Sequence, residues 1–186
     1  MKKVPDGREA LRPLLAAGVR EWGLLVVGGV LLWGAFSVLT RLIPAFEARD
    51  ATYYPFVACL LAPAFVVAGV RASGRWGAAA FVAVCFTALF LGVARAAPPL
   101  LVVAALGVDV WYAYRGNTRG AGGAVMAGFL FAWVFYSVEA AWTVWFVGIG
   151  WQRSEILGGL LFTLLAGMVS GAIGYFLSTP LRHLLR

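Results

Sequence analysis

Six apolar blocks, each near twenty residues, fill the chain from Trp22 to Leu177 and limit what it can become. They run roughly Trp22–Ile43, Tyr54–Val70, Trp76–Ala94, Pro98–Tyr114, Ala121–Gly148 and Ile156–Leu177. A helix of about 20 residues crosses the hydrocarbon core of a bilayer, which is roughly 30 Å thick. Only elements that satisfy their own backbone hydrogen bonds persist there. The pattern therefore predicts an all-α membrane protein, a bundle of about six transmembrane helices forming a single domain over residues 1–186. Within it, 1–21 is an interfacial N-terminal segment, 22–177 the six-helix bundle and 178–186 a basic tail. The second block holds Pro63, which predicts a kink there. The first block is too long for the core of a signal peptide, so it reads as an uncleaved span.

Charge sits at the block edges. Only 12% of residues are charged and 62% are hydrophobic, whereas soluble domains carry about a quarter charged residues. Lys2, Lys3, Arg8, Arg12, Arg20, Arg71, Arg75, Arg115, Arg119, Arg182 and Arg186 fall on one side of the six blocks, against Arg41, Arg49, Arg95 and Arg153 on the other. The richer side faces the cytoplasm, so both termini are expected there and the location is the plasma membrane of a bacterial cell. The net charge of +7 is explained by this bias and implies no nucleic acid.

Two flanking pieces look amphipathic. Asp6 and Glu9 resemble a helix cap, with Leu11, Leu14, Leu15 and Val19 near one face beyond it. Thr179-Pro180 can open a separate short surface helix. Small residues recur every four positions at Gly120, Ala124, Gly128 and Ala132. They recur also at Gly167 with Gly171, Ser170 with Gly174, and Ala79 with Ala83. Such ridges let helices approach closely in lipid, within the chain or against a partner.

Two acids lie deep inside blocks, Asp109 and Glu139. Counted from Arg115 and from Ala121, they stand about 9 Å and 27 Å from the cytoplasmic end, roughly 18 Å apart in depth. That separation excludes a catalytic carboxylate pair. Asp109 has Tyr112, Arg115 and Arg119 within reach, which suggests a local ion pair or hydrogen bond. Glu139 shares a helix face with Tyr136 and Thr143, beside Trp142. Tyr53, Tyr54, Trp145, Trp151, Arg41 and Arg153 belong at the same depth. Two readings stay open. Glu139 closes a salt bridge with Arg41 within an aromatic belt, or it faces a pocket for a flat, cation-bearing molecule. The ligand-binding candidates are thus Glu139, Trp142, Tyr136, Tyr53, Tyr54 and Thr143; the structural or coupling charges are Asp109, Arg41 and Arg115.

Phosphate loops, dinucleotide fingerprints, nucleophile elbows and metal-ligand spacings do not occur in the sequence. Cys59 and Cys85 sit in apolar blocks and read as core residues. His183 is the single histidine. No cofactor, no metal and no enzymatic activity are expected.

"LVVAALGVDVWYAYR", "GAGGAVMAGFLFAWVFYSVEAAW" and "GGLLFTLLAGMVSGAIGYFLSTPLRHLLR" resemble the second half of the S components of energy-coupling factor (ECF) vitamin transporters, of the thiamine or hydroxymethylpyrimidine type. The likeness lies in layout: an acid late in the fourth span, a small-residue fifth span ending in an acid and aromatics, and a Gly-rich last span with a basic tail. It implies a substrate-capture subunit that works with a transmembrane partner and a pair of cytoplasmic ATPases. A small molecule would bind near the outer face under the loop Phe46–Pro55, with Glu139 as a ligand. The first span carries Gly28, Gly29, Gly34 and Ala35 without the small-x-x-x-small spacing by which family members dock their partner. The competing expectation is a non-catalytic accessory subunit of a larger membrane complex, such as an oxidase, a monooxygenase or a respiratory assembly. Either way the chain contacts membrane lipid and protein partners.

Overall fold

A computed structural model of the chain describes residues 12–42, 53–90, 98–116, 120–142, 144–145 and 153–185. It is built from six helices: α1 (Val19–Leu42), α2 (Tyr53–Ser73), α3 (Ala78–Phe90), α4 (Pro98–Arg115), α5 (Ala121–Trp142) and α6 (Arg153–Leu185). Three carry stretches long and apolar enough to cross a membrane, Val19–Leu39, Ala121–Trp142 and Ile156–Leu184. Large apolar side chains stay exposed along α1, α4 and α6, among them Leu31, Val110, Leu161, Phe162 and Phe176. A folded soluble chain rarely shows so much contiguous apolar surface.

The second helix is the hub. It packs against all five others, most extensively against α6. Its sequence explains this. A helix apolar on every side has no face for solvent and is buried, and residues 57–59, 62–64 and 66–71 are all buried. Pro63 lies inside α2. The next residue, Ala64, donates its backbone N–H to Ser170 Oγ of α6 at 2.9 Å. The helix interrupted at proline is thus satisfied by its neighbour.

The small residues of α6 form two seams. Gly167 and Gly171 face α5, and Ser170 and Gly174 face α2. A Cβ on Gly167 would lie 2.5 Å from both Ala132 Cβ and the Gly128 oxygen, and one on Gly174 would lie 2.7 Å from the Ala64 oxygen. Both ridges are therefore filled within the chain. The three-residue offset between the pairs turns them toward different helices. Gly29 of α1 does the same against Cys85 of α3, where an added Cβ would meet the Cys85 Cβ at 2.5 Å.

The N-terminal segment departs from expectation. Residues 12–18 do not continue an amphipathic helix. Arg12–Pro13 (β1) pairs in parallel with Arg75–Trp76 (β2), a single turn of 3-10 helix follows at Leu14–Ala16, and α1 begins at Val19. The cause is Pro13 together with a better partner. Arg12 N–H donates to the Gly74 oxygen at 3.2 Å, in a turn whose Gly74 and Gly77 adopt φ of 63° and 89°. Leu14 packs onto the core beside Gly77, while Leu15 and Val19 stay 93% and 89% exposed. Asp6, Glu9 and Leu11 lie outside the described residues. Glu21 fastens the join. It accepts the Gly18 N–H at 2.8 Å, as the third residue of a capped helix does. It also forms an ion pair with Arg75 at 2.8 Å.

The tail is a second correction. No new helix starts at Thr179-Pro180, because α6 runs through Pro180 to Leu185. Arg182 Nε donates to the Arg71 oxygen at 2.6 Å, which holds the last turns of α6 against α2. Residue 12 and residue 182 therefore sit at one end of the bundle.

Candidate functional site

Helical periodicity carries Glu139 inward. The buried face of α5 runs Ala124, Ala127, Gly128, Phe131, Ala132, Phe135, Tyr136 and Glu139, a spacing of three and four that ends on the carboxylate. Glu139 is 8% exposed. Its Oε2 is buried without a hydrogen-bond partner among the described residues. Among the described residues, Cys59 of α2 and Tyr136 lie near enough to feel a charge on it. Cys59 is itself fully buried. The carboxylate thus stands where α5 meets the first turns of α2, the helix that Tyr53 and Tyr54 open.

The salt bridge with Arg41 is absent. Arg41 is exposed in the last turn of α1, and no ion pair joins it to Glu139 among the described residues. The reason lies in the packing. The α1 helix lies chiefly against α3 and α2, whereas α5 packs chiefly against α6, α4 and α2.

The neighbours expected around Glu139 divide. Tyr136 is buried, but its hydroxyl donates to the Ile156 oxygen at 3.0 Å and its ring covers Gly159. It joins α5 to the start of α6. Trp142 is 40% exposed, at the rim. The side chains of Tyr53, Tyr54 and Arg153 lie outside the described residues, as do Thr143 and Trp151. Trp145 is 80% exposed.

Asp109 lies elsewhere and is differently held. It is fully buried. Its Oδ1 accepts the N–H groups of Gly77 at 3.0 Å and Ala79 at 3.2 Å, and its Oδ2 accepts that of Ala80 at 2.9 Å. A carboxylate from α4 therefore caps the start of α3, where unsatisfied donors and the positive end of the helix dipole favour an anion. The pairing expected with Arg115 does not form, because the α3 amides already occupy both oxygens. Arg115 instead stacks over the Trp111 ring at 5.3 Å. Cys59 lies near the start of α2 and Gly77 just beyond its end at Ser73, so Glu139 and Asp109 are separated along it by roughly 20 Å.

One buried charge escapes a reading of the sequence alone. Arg71 is 2% exposed, its Nε donates to Ser178 Oγ at 3.3 Å, and its guanidinium lies 4.7 Å from the centroid of the Tyr175 ring. Tyr112 lies beside it, with a hydroxyl that finds no well-aligned partner among the described residues. At a block edge Arg71 looks like a loop cation. The available signal is its spacing from Ala64 and Val67, which continues the buried stripe of α2. No three or more His, Cys, Asp or Glu residues gather around a common point among the described residues.

No known family model, curated protein or solved structure matches the chain.

Proposed function

We propose that the chain spans a membrane six times with both termini cytoplasmic, and that it captures a small aromatic, cation-bearing solute at Glu139 as the substrate-capture subunit of a transporter. The observation that carries this reading is the buried, unpartnered Oε2 of Glu139. A carboxylate removed from water without a partner is expensive, and acids within membrane segments characteristically face a cavity, a partner or a transported species. A ligand ammonium or ring N–H supplies the missing donor. The rim Trp142 suits the flat remainder by stacking and cation–π attraction. The ECF-like layout supports the same role.

Six spans are supported by the alternation of the helices. The α2–α3 turn, the end of α4, the start of α1 and the end of α6 carry Arg20, Arg71, Arg75, Arg115 and Arg182, the bias of a cytoplasmic side. Reporter fusions test it. A fluorescent protein after Arg186 is expected to fluoresce and a periplasmic phosphatase there to stay inactive. A phosphatase fused after residue 148 is expected to be active. The opposite pattern at either point removes the six-span topology.

Ligand capture is tested by thermal unfolding of the purified protein in detergent against thiamine, hydroxymethylpyrimidine and related ring cations. A ligand at 100 times its Kd stabilises by about 2.7 kcal/mol, a rise of roughly 5–10 °C for a chain of this size. The Glu139→Gln variant is expected to bind that ligand 10- to 100-fold more weakly, the worth of a hydrogen bond to a charged group at about 1.5–3 kcal/mol. An equal shift in wild type and variant takes the site away from Glu139. Copurification of redox subunits in place of ATPases makes the chain an accessory subunit instead.

A further inference from the structure

A second site opens sideways, away from Glu139. An apolar groove of about 210 Å³ lies between α1 and α6 with α2 as its floor. Leu24, Gly28 and Leu31 form one wall, Gly69 part of the floor, and Leu177 and Leu181 the other wall. It follows α1 for about 10 Å from Leu24 to Leu31. Arg20 stands one turn before Leu24 on the same helix face, is exposed, and has no ion-pair partner among the described residues. This end of the bundle is basic. The described residues there include Arg12, Arg20, Arg71, Arg75, Arg115 and Arg182 against Glu21 and Asp109.

We infer that this groove binds one anionic phospholipid, with an acyl chain along Leu24–Leu31 and the phosphate at Arg20. Two features favour a lipid. The groove walls are apolar for their whole length, so they match a hydrocarbon chain. Arg20 lies at the end of the groove where a headgroup would emerge, and basic residues beside a membrane attract anionic lipid. The inference rests on membrane embedding but not on the role of Glu139.

The test is native mass spectrometry of protein reconstituted with equal phosphatidylglycerol and phosphatidylethanolamine, then released from detergent. Wild type is expected to keep one phosphatidylglycerol in preference to phosphatidylethanolamine. Arg20→Gln is expected to lower that preference about fivefold, the worth of one arginine at an anionic surface. Gly28→Leu is expected to abolish the adduct. An added Cβ at Gly28 meets only Val82, at 3.7 Å, so the larger side chain enters the groove without disturbing the bundle. The Glu139→Gln variant is expected to retain the lipid, which separates this site from the solute site. A wild type without bound lipid, or an adduct unchanged in both groove variants, overturns the assignment.

Discussion

Replacing Asp109 with alanine is expected to cost about 4 kcal/mol of stability, read as the shift in reversible unfolding by sodium dodecyl sulfate in mixed micelles. The substitution strands the N–H groups of Gly77, Ala79 and Ala80, all of which bond to this carboxylate. Each buried donor left without an acceptor costs about 1–3 kcal/mol. The lower part of that range applies to Gly77 and Ala80, which are only partly buried. Asp109→Asn keeps one acceptor oxygen but turns an N–H2 group toward an amide and removes the negative charge from the head of α3. A charge at a helix end is worth about 0.3–1 kcal/mol, rising to ~2 when partly buried, so asparagine is expected to lose about half as much as alanine. Hydrogen exchange localises the effect, with the amides of residues 77–80 losing protection first. Alanine costing less than 1 kcal/mol, or matching asparagine, rules out the cap as what holds α3 to α4.

Asp109 also marks where sequence reasoning stops. Its depth follows from counting residues along a helix, and so does its distance from Glu139. Its partners lie about 30 positions earlier, on a different helix, and nothing in the spacing of "VDVWYAYR" points to them. Local signals select Arg115 because it is near in sequence; the fold selects the α3 amides because they need an acceptor more. Arg71 escapes for the same reason, since a cation at a block edge looks solvated until α6 closes over it. The apolar blocks fare better, because the pattern that defines them is the pattern that packs them. Their ends drift where a breaker is outvoted. Pro180 reads as a boundary, yet α6 passes through it because Arg182 is anchored to α2 beyond. Pro13 reads as a mere interruption, yet it helps turn the segment into β1, since the Gly74 carbonyl offers Arg12 a partner. At Glu139 the face shared with Tyr136 was legible from the helical spacing of α5. The missing arginine was not, because which helix lies opposite is set by packing.

The α5–α6 seam yields the other large effect. Gly128→Ala is expected to destabilise the bundle by about 3 kcal/mol, although alanine is the best helix former and by propensity alone gains about 1 kcal/mol over glycine. The loss arises across the seam. An added Cβ at position 128 falls onto the Gly167 oxygen, and within 2.9 Å of Gly171 Cα. Both obstacles are backbone, so no side chain can swing aside. The helices must separate, and the loss spreads to Ala124 against Gly171 and Ala132 against Gly167. Overpacking of this kind costs about 1–3 kcal/mol or more. Lipid offers little in return, because there is no hydrophobic force to press the helices together again and dispersion at close range is what binds them. Gly158→Ala on α6 is the control. Nothing lies within 4 Å of its added Cβ, so it is expected to be neutral or to gain up to about 1 kcal/mol. The contrast in sign between two identical substitutions isolates packing from propensity. Equal behaviour of the two variants means that α5 and α6 do not pack this closely in the membrane, and the glycine ridge is then free for a partner helix.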